Sequence, residues 1–384
     1  GLSNSLLLAV AINLLIGAVA FFVSAKDSKV TIQKSPNLQI TKVISTPKLI
    51  VLGAFFMSGL ISIAYEVLWS RIFTPTIGTL IYAFATVLAI YILGIGIGSL
   101  IYQKFARIIK GKNLAFAICE AGIGIAAIAS VILTHKFVID NGFRIAAIVL
   151  PATILMGLTF PAVVALLSNN KHTGKIVGAA YFANTAGSIT GGFLASFLFI
   201  PTFGSSPSII ILAIFNLAIA IYFILREREV TSFLKYLSAT FVLIPLLAGL
   251  WLLTAKGNRL TQYTTDLQIL TAKLNNINYT FAEDEVASIF AFVDPKNNDQ
   301  GLFIDGVATT SRVSETRFMA HIPIALHPNP EKVLVIAFGM GTTFRSSLAQ
   351  NLETDAIELV PTVPKLMHFF HPDAQEVLLS PKGK

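Results

Sequence analysis

The chain is poor in charged residues and in cysteine. Asp, Glu, Lys and Arg make up 12% of its 384 residues, against about 25% in soluble proteins. Cys119 is the single cysteine and lies within apolar sequence, which excludes a disulfide framework and a thiolate metal site. The Gly-x-x-x-x-Gly-Lys pattern does not occur either. We therefore expect no metal site and no phosphate-cradling loop of that type.

Apolar stretches of membrane-spanning length fill the first two thirds of the chain. About 20 apolar residues are needed to cross the roughly 30 Å hydrocarbon layer of a bilayer. Residues 1–254 contain such stretches and residues 255–384 contain none. We predict eight spans, at 5–24, 49–69, 80–101, 114–134, 144–167, 176–200, 207–225 and 236–254. The fold class is then a mainly α polytopic helix bundle, with the lipid bilayer as its partner.

Basic residues are concentrated in alternate connections between these spans. Residues 1–254 carry 17 Lys and Arg against 6 Asp and Glu, whereas residues 255–384 carry 11 against 14. The positive-inside bias assigns the basic loops at 25–48, 102–113, 168–175 and 226–235 to the cytoplasm. This predicts a bacterial inner-membrane protein whose polar tail lies outside the cytoplasm. The basic charge belongs to the loops, so we expect no nucleic-acid partner.

The first segment resembles a later one. Residues 1–20 align with residues 204–223 at six identical positions, including Gly1 with Gly204 and Asn13 with Asn216. We interpret the chain as a fragment lacking both ends, which begins in the last helix of an incomplete first membrane repeat. The predicted divisions are this helix at 1–25, a basic loop at 26–48, a seven-helix membrane domain at 49–254 and a tail at 255–384.

Three charged residues in or beside the spans are candidate functional groups. Glu66 and Glu120 are the carboxylates within predicted spans, and Arg71 follows Glu66. Ionisable groups inside a membrane are functional candidates by default. Both carboxylates also lie within a few residues of a predicted span end. Arg71 lies near Glu66 in the sequence, and Lys110 and Lys112 lie near Glu120. A side chain that snorkels to a surface ion pair is therefore at least as good an explanation as function.

Small residues recur at close spacing in two spans. One span carries Gly94, Gly96 and Gly98, and the other carries Gly187 and Gly191. Small side chains let helix backbones approach where lipid supplies no hydrophobic drive. We predict close helix packing at these positions, with a transport path as the alternative.

The tail begins with a helical pattern at 259–282, which has Leu267, Leu270 and Leu274 on one face, and continues into a β module at 283–320. Strands are predicted at 286–293 and 302–304, and the tight turn Asp305-Gly306 ends the second strand. A partial Rossmann-like unit is predicted at 330–384. It starts with the β-branched run at 332–336, a strand expected to be buried on both faces of a parallel sheet.

A glycine-containing loop follows that strand. Gly339, Gly341 and Thr342 precede a predicted helix at 344–351 and a second strand at 355–359, which contains Glu358. In nucleotide-binding units, glycines let the backbone approach the ligand and a terminal acid bonds ribose hydroxyls. The third glycine of the dinucleotide pattern would fall at Phe344, so an S-adenosyl ligand fits better than NAD. The alternative is a glycine turn that only joins strand to helix, with Glu358 solvated.

Several stretches resemble the membrane-bound branch of the spermidine synthase, or aminopropyltransferase, family. In the bundle they are Ser58-Gly59, Tyr65-Glu66-Val67-Leu68-Trp69-Ser70-Arg71, the segment 155–161 and the segment 181–187. In the tail they are His321-Ile322-Pro323, His327-Pro328, Gly339-Met340-Gly341-Thr342 and Glu358-Leu359-Val360-Pro361. The resemblance covers nearly the whole chain.

The resemblance implies a β-hairpin module leading into a Rossmann-like domain. There S-adenosylmethionine or its decarboxylated form is held by the glycine loop and Glu358, with Asp305 as a further candidate. The aminopropyl group of the decarboxylated donor then moves to a diamine, a step that requires a carboxylate base.

The sequence departs from the family pattern at the residues expected to bind the amine substrate, which accepts the aminopropyl group. Soluble members carry acids where this chain has Ser311-Arg312 and Glu315-Thr316-Arg317, and the family Gln after Asp305-Gly306 is replaced by Thr309. The resemblance places the catalytic Asp beyond Lys384, so catalytic residues stay unknown. Two cations at Arg312 and Arg317 would repel a polyamine.

Three functions remain open. The first is a membrane-anchored transferase that uses an S-adenosyl donor, and the second is a catalytically degenerate binding or scaffold protein. The third is a transporter with an accessory domain. Two strands and a helix cannot bury both faces of a sheet, so further chain, other subunits or a second copy of the chain are expected to complete the tail.

Overall fold

The computed structural model describes residues 46–109, 111–136, 142–168, 173–254, 263–311 and 313–384, together with scattered positions between 7 and 19. The chain forms two compact units, Gly1–Leu49 and Ile50–Lys384. In the first unit the described positions between 7 and 19 are helical and exposed. Residues 26–45 of the predicted basic loop lie outside the described residues, and Thr46 already begins a helix.

Seven long helices form a helix bundle, referred to from here on as the bundle. They are α1 (Thr46–Ile77), α2 (Leu80–Ile108), α3 (Lys112–Lys136), α4 (Gly142–Leu167), α5 (Thr173–Leu194), α6 (Ser205–Arg226) and α7 (Ser232–Thr254). A π-helical segment, Ala195–Phe199, and a turn, Ile200–Phe203, extend α5. Among the described residues, seven helices are long and apolar enough to cross a bilayer. They coincide with the predicted spans from 49 onward.

The bundle is apolar both inside and outside. Its core includes Tyr65 and Trp69, which stack with ring centroids 5.2 Å apart, and Phe116. Large apolar side chains such as Ile81 and Phe182 are exposed on its outer surface. A helix bundle that is apolar all round is typical of a lipid environment.

The predicted close packing at glycines is confirmed, with one exception. A Cβ at Gly98 would overlap the carbonyl of Ile154 in α4, and a Cβ at Gly191 would overlap the carbonyl of Leu60 in α1. A Cβ at Gly96, by contrast, would have no heavy atom within 4 Å. Gly98 and Gly191 are therefore at helix contacts, whereas Gly96 faces outward.

The tail, residues 255–384, starts with one helix and one antiparallel sheet. These are α8 (Tyr263–Leu274) and the strands β1 (Asn278–Glu283), β2 (Ser288–Val293), β3 (Gln300–Ile304) and β4 (Val307–Ser311), in that spatial order. The predicted hairpin is confirmed by the pairing of Ile289 with Ile304. Asp305 and Gly306, with φ angles of 50° and 79°, make the tight turn between β3 and β4.

A parallel unit follows the sheet. After α9 (Glu315–Leu326) come β5 (Lys332–Ile336), α10 (Thr342–Leu348) and β6 (Glu353–Ile357), then the short turns α11 (Thr362–Lys365), α12 (Met367–Phe370) and α13 (Ala374–Leu378). β5 and β6 pair in parallel. The predicted order of strand, loop, helix and strand is confirmed, with β6 two residues earlier than expected.

The prediction that the strand at 332–336, now β5, is buried on both faces is wrong. Val335 is buried, but Leu334 and Ile336 are 57% and 75% exposed, and Ile357 on β6 is 60% exposed. Helices cover one face of the two-stranded sheet, where Val335 packs with Phe344 and Met367. The other face presents its aliphatic side chains to solvent.

Candidate functional site

The glycine loop, residues 337–341, lies at the carboxyl end of β5. Ala337, Gly339 and Gly341 all have φ angles in the left-handed region, at 68°, 56° and 79°. A Cβ at Gly339 would meet only Thr310, at 3.6 Å, whereas a Cβ at Gly341 would crowd Phe338 and Met367. Gly339 is thus the position where a ligand could approach the backbone, and Gly341 is a packing position that starts α10.

Glu358 follows β6 and reaches back to this loop. Its Oε2 accepts hydrogen bonds from the N–H groups of Phe338 at 2.8 Å and Gly339 at 3.4 Å. Its Oε1 accepts from the N–H groups of Leu359 at 2.8 Å and Val360 at 3.0 Å. The carboxylate is half-buried. It therefore orders the loop and is not the purely solvated group of the alternative interpretation.

Thr342 is buried. Its hydroxyl lies 3.4 Å from Nε2 of His371. Nearby, Arg345 of α10 holds Asp373 through contacts of 2.7 to 3.0 Å. The Arg345 hydrogen bond lowers the pKa of Asp373 despite partial desolvation. Of the predicted nucleoside-binding residues, Gly339 and Glu358 lie together at one accessible place. Gly341 and Thr342 lie beneath them and pack in the interior of the tail.

Asp305 lies elsewhere, at the junction of the tail with the bundle. Its Oδ1 accepts from the N–H of Ser288 at 2.9 Å and is 3.6 Å from the guanidinium of Arg71 in α1. The following Gly306 has no room for a side chain, because a Cβ there would lie 2.5 Å from Pro75. In the described structure Asp305 thus lies at the contact between the sheet and α1.

Arg71 is the centre of that junction. It is 5% exposed and donates hydrogen bonds to the backbone carbonyls of Val286 and, at 2.8 Å, of Asp284. Arginine is suited to such a role because its planar fork serves several acceptors at once. The described contacts of Arg71 turn it to the tail, where fixed backbone acceptors lie.

Asp284 was not recognised in the sequence, yet its side chain joins two segments of the tail. Its Oδ1 accepts from Val286 and Ala287, both at 2.9 Å, and its Oδ2 accepts from the N–H of Thr362 at 3.0 Å. Burial alone would raise the pKa of Asp284. The donors of Ala287, Thr362 and Val286 outweigh burial and hold that pKa below its usual value. The run of three acids at 283–285 was the available signal.

Glu283 makes a second contact with the bundle. Its two oxygens accept from the backbone N–H of Ser205 at 2.9 Å and from the hydroxyls of Ser205 at 3.0 Å and Ser288 at 2.9 Å. Ser205 is the first residue of α6. A carboxylate at this position satisfies a free N–H group and complements the helix dipole.

The two candidate carboxylates of the bundle are both buried. Glu66 is 8% exposed and Glu120 is 0% exposed. Glu120 accepts from Ser58 at 2.7 Å and from the amide of Asn216 at 2.6 Å, and Asn216 accepts from Tyr65 at 2.9 Å. Snorkelling of Glu120 to the surface is therefore wrong, because its hydrogen-bond partners, on α1 and α6, lie in the core.

A groove of about 540 Å³ lies beside the first half of β5. It is lined by Met319, Ala320, Pro323, Ile324, His327, Asn329, Pro330, Glu331, Lys332, Val333 and Leu334. The glycine loop follows the opposite end of the strand, so this groove is not the cleft of Gly339 and Glu358. Within the described ranges, no group of three or more His, Cys, Asp and Glu is placed to hold a metal ion.

Comparison with known proteins gives several relatives of one kind. A polyamine aminopropyltransferase of Oceanobacillus iheyensis is 25% identical over 329 residues, covering 81% of this chain and 61% of that protein. Polyamine aminopropyltransferase 2 of Aquifex aeolicus is 23% identical over 324 residues, covering 82% of this chain and 62% of that protein. This chain is similar to polyamine aminopropyltransferases.

Another relative shows a higher sequence identity over a shorter stretch of the chain. A polyamine aminopropyltransferase of Thermotoga neapolitana is 34% identical over 100 residues, which cover 25% of this chain and 32% of that protein. The chain spans about three fifths of the length of the first two relatives. No family model matches it. The resemblance to the spermidine synthase-like family is supported, while these names describe a reaction and no location.

Proposed function

We propose that the chain is a membrane-anchored, spermidine synthase-like protein whose tail binds an S-adenosyl nucleoside at Gly339 and Glu358. The observation that carries the proposal is the Glu358 carboxylate, which reaches the glycine loop at the carboxyl end of the parallel strands. Ligands of parallel α/β units bind at that end. The similarity to polyamine aminopropyltransferases supports the nature of the ligand.

The residues present fit such a ligand. Gly339 leaves the backbone accessible, and the Glu358 carboxylate lies beside it. That carboxylate already accepts four backbone N–H groups, so a ribose hydroxyl would replace the longest of these bonds, the 3.4 Å contact with Gly339. When decarboxylated S-adenosylmethionine is bound, an amine would form a new C–N bond to its propyl carbon while the C–S bond breaks and releases 5′-methylthioadenosine. The resulting ammonium would then give its proton to a base. Gly339 and Glu358 would hold and orient the donor for this step.

A binding or scaffold protein without catalysis is the second candidate. It is favoured by the region where soluble members of the family bind the amine substrate. In this chain the exposed Arg317 and Ser311 stand at positions that carry acids in those members. A cationic polyamine needs acids there, both to bind and to lose a proton. Nucleoside binding without transfer to a diamine would support this candidate.

Binding of nucleosides to the detergent-solubilised chain tests the proposal. We expect 5′-methylthioadenosine and decarboxylated S-adenosylmethionine to bind, and Glu358→Gln to weaken both by about 10- to 100-fold, because a hydrogen bond to a charged acceptor is lost. Isothermal titration calorimetry measures the affinity, and thermal unfolding checks the fold.

Asp355→Asn is the matched control for this substitution. Asp355 is an exposed acid on β6, three residues before Glu358, so its loss removes the same charge without touching the loop. Absence of binding to the wild-type chain, or equal affinities of the wild type and Glu358→Gln, would overturn the nucleoside assignment.

The helix order supports a proposal for the side of the membrane on which the tail lies. The tail contacts the carboxyl-terminal part of α1 through Arg71 and the start of α6 through Ser205. Successive spans place the α1–α2 and α5–α6 connections on that side and the Lys- and Arg-rich connections on the other. The positive-inside bias therefore supports a tail outside the cytoplasm of a bacterial inner membrane.

Labelling of single engineered cysteines tests this topology, since Cys119 is buried. In intact spheroplasts we expect a membrane-impermeant maleimide to label Asn297→Cys, in an exposed loop of the tail. Glu229→Cys, exposed in the α6–α7 connection, should react only after permeabilisation. The reverse pattern would place the tail in the cytoplasm, where an S-adenosyl donor is abundant.

A further inference from the structure

The geometry points to Arg71 of the bundle as a positioning residue for the glycine loop. We infer that Arg71, through Asp284 and Thr362, fixes the segment that carries Glu358, so that helix α1 and the nucleoside cleft are energetically coupled. This inference deepens the proposed function and rests on it for the nature of the ligand.

The first step of this connection is the docking of the sheet on α1. The guanidinium of Arg71 is 5% exposed and bonds the carbonyls of Asp284 and Val286. These two residues begin the turn between β1 and β2, and Asp305 approaches the same guanidinium at 3.6 Å. A buried arginine held by several acceptors fixes the orientation of the turn, because each bond is directional.

The second step leads from this turn to the parallel unit. The side chain of Asp284 is 5% exposed and satisfies three backbone donors, two in its own turn and one at Thr362. Thr362 begins α11, so the carboxylate lies at the start of that turn. A displacement of the β1–β2 turn therefore moves or frees the start of α11.

The third step reaches the cleft. Four residues before Thr362, Glu358 binds the N–H groups of Phe338 and Gly339, and its other oxygen binds Leu359 and Val360. Val360 and Val363 are buried in the core of the tail, at 5% and 1% exposure. The segment 358–363 is thus held at both ends by carboxylates, and one of these carboxylates is positioned by α1.

By thermodynamic reciprocity, this coupling between α1 and the cleft acts in both directions. If docking on Arg71 orders the loop, then a nucleoside that binds the ordered loop must strengthen the docking by the same factor. A change in the packing of α1 would in turn change the affinity of the cleft. The bundle then supports the binding site instead of serving only as an anchor.

The experiment uses the full chain in detergent and two readouts. Hydrogen exchange of residues 337–341 and 358–363 is measured without ligand, and the dissociation constant of 5′-methylthioadenosine is measured by calorimetry. For Arg71→Met we expect about tenfold faster exchange in both segments and about tenfold weaker binding, within the usual range of coupling between sites.

Two further variants define the result. Asp284→Asn leaves the Arg71 contacts to backbone carbonyls intact and should reproduce both effects, which keeps the test valid if Arg71→Met does not fold. Arg226→Met removes a cation at the other end of the bundle, where Arg226 stacks over Tyr222, and should change neither readout.

The outcomes are distinguishable from those of the proposed function. If the wild type binds no nucleoside, the proposed function fails and hydrogen exchange still decides the coupling. Unchanged exchange in both segments for Asp284→Asn would overturn the inference. Faster exchange with unchanged nucleoside affinity would also overturn it, since the ordered loop would then have no bearing on the cleft.

Discussion

Replacing Gly98 by alanine is expected to lower the apparent unfolding free energy of the bundle by about 1–3 kcal/mol. The new methyl group would overlap the carbonyl of Ile154 and the Cα of Gly157, so α2 and α4 must move apart along their whole contact. Backbone atoms cannot rotate away as a side chain would. Titration with dodecyl sulfate in mixed micelles measures the change.

Gly96 provides the control within the same helix. A methyl group there would meet no heavy atom within 4 Å, and Gly96 is exposed. Gly96→Ala should leave stability unchanged or raise it by up to about 1 kcal/mol, since alanine favours the helix. Equal effects of the two substitutions would show that the glycines are not contact positions.

Replacing Glu120 by leucine is expected to cost about 2–4 kcal/mol of unfolding free energy. The substitution removes the acceptor of two hydrogen bonds, so Ser58 and Asn216 become buried donors without a partner. The same titration in mixed micelles measures this loss. Stability equal to that of the wild type would contradict the role of Glu120 in joining three helices.

Glu229→Leu is the matched control for Glu120→Leu. It makes the same chemical change at an exposed position of the α6–α7 connection, and surface substitutions of this kind usually alter stability by less than about 0.5 kcal/mol. A triple variant, Ser58→Ala with Glu120→Leu and Asn216→Leu, should lower the unfolding free energy by less than the sum of the three single substitutions. Of the buried donors in this network, the Tyr65 hydroxyl alone would then lack its partner.

Local patterns in the sequence were sufficient to predict the main elements. Each long apolar stretch from 49 onward is a helix, and the β-branched run at 332–336 is a strand before the glycine loop. The strand β1 was missed because the apolar spacing of α8 seemed to continue past Leu274. Asn276, at a φ angle of 55°, ends that helix instead.

Contacts between distant segments could not be predicted from local patterns. Arg71 and Asp284 are separated by 213 residues, and nothing near Arg71 in the sequence indicates its acceptors. The burial of Glu120 likewise depends on Asn216, 96 residues away. The glycine loop was predictable because its parts are adjacent in sequence, whereas the contacts of Asp305 depend on how the sheet docks.

The capping of α6 by Glu283 bears on the order of biosynthesis. The two partners are 78 residues apart, so the ribosome delivers the start of α6 well before it delivers the acid that completes it. Until β1 is synthesised and reaches its place, the first turn of α6 must rely on water or translocation factors. Maturation of the helices is then expected to finish only when the later-made sheet has settled against them.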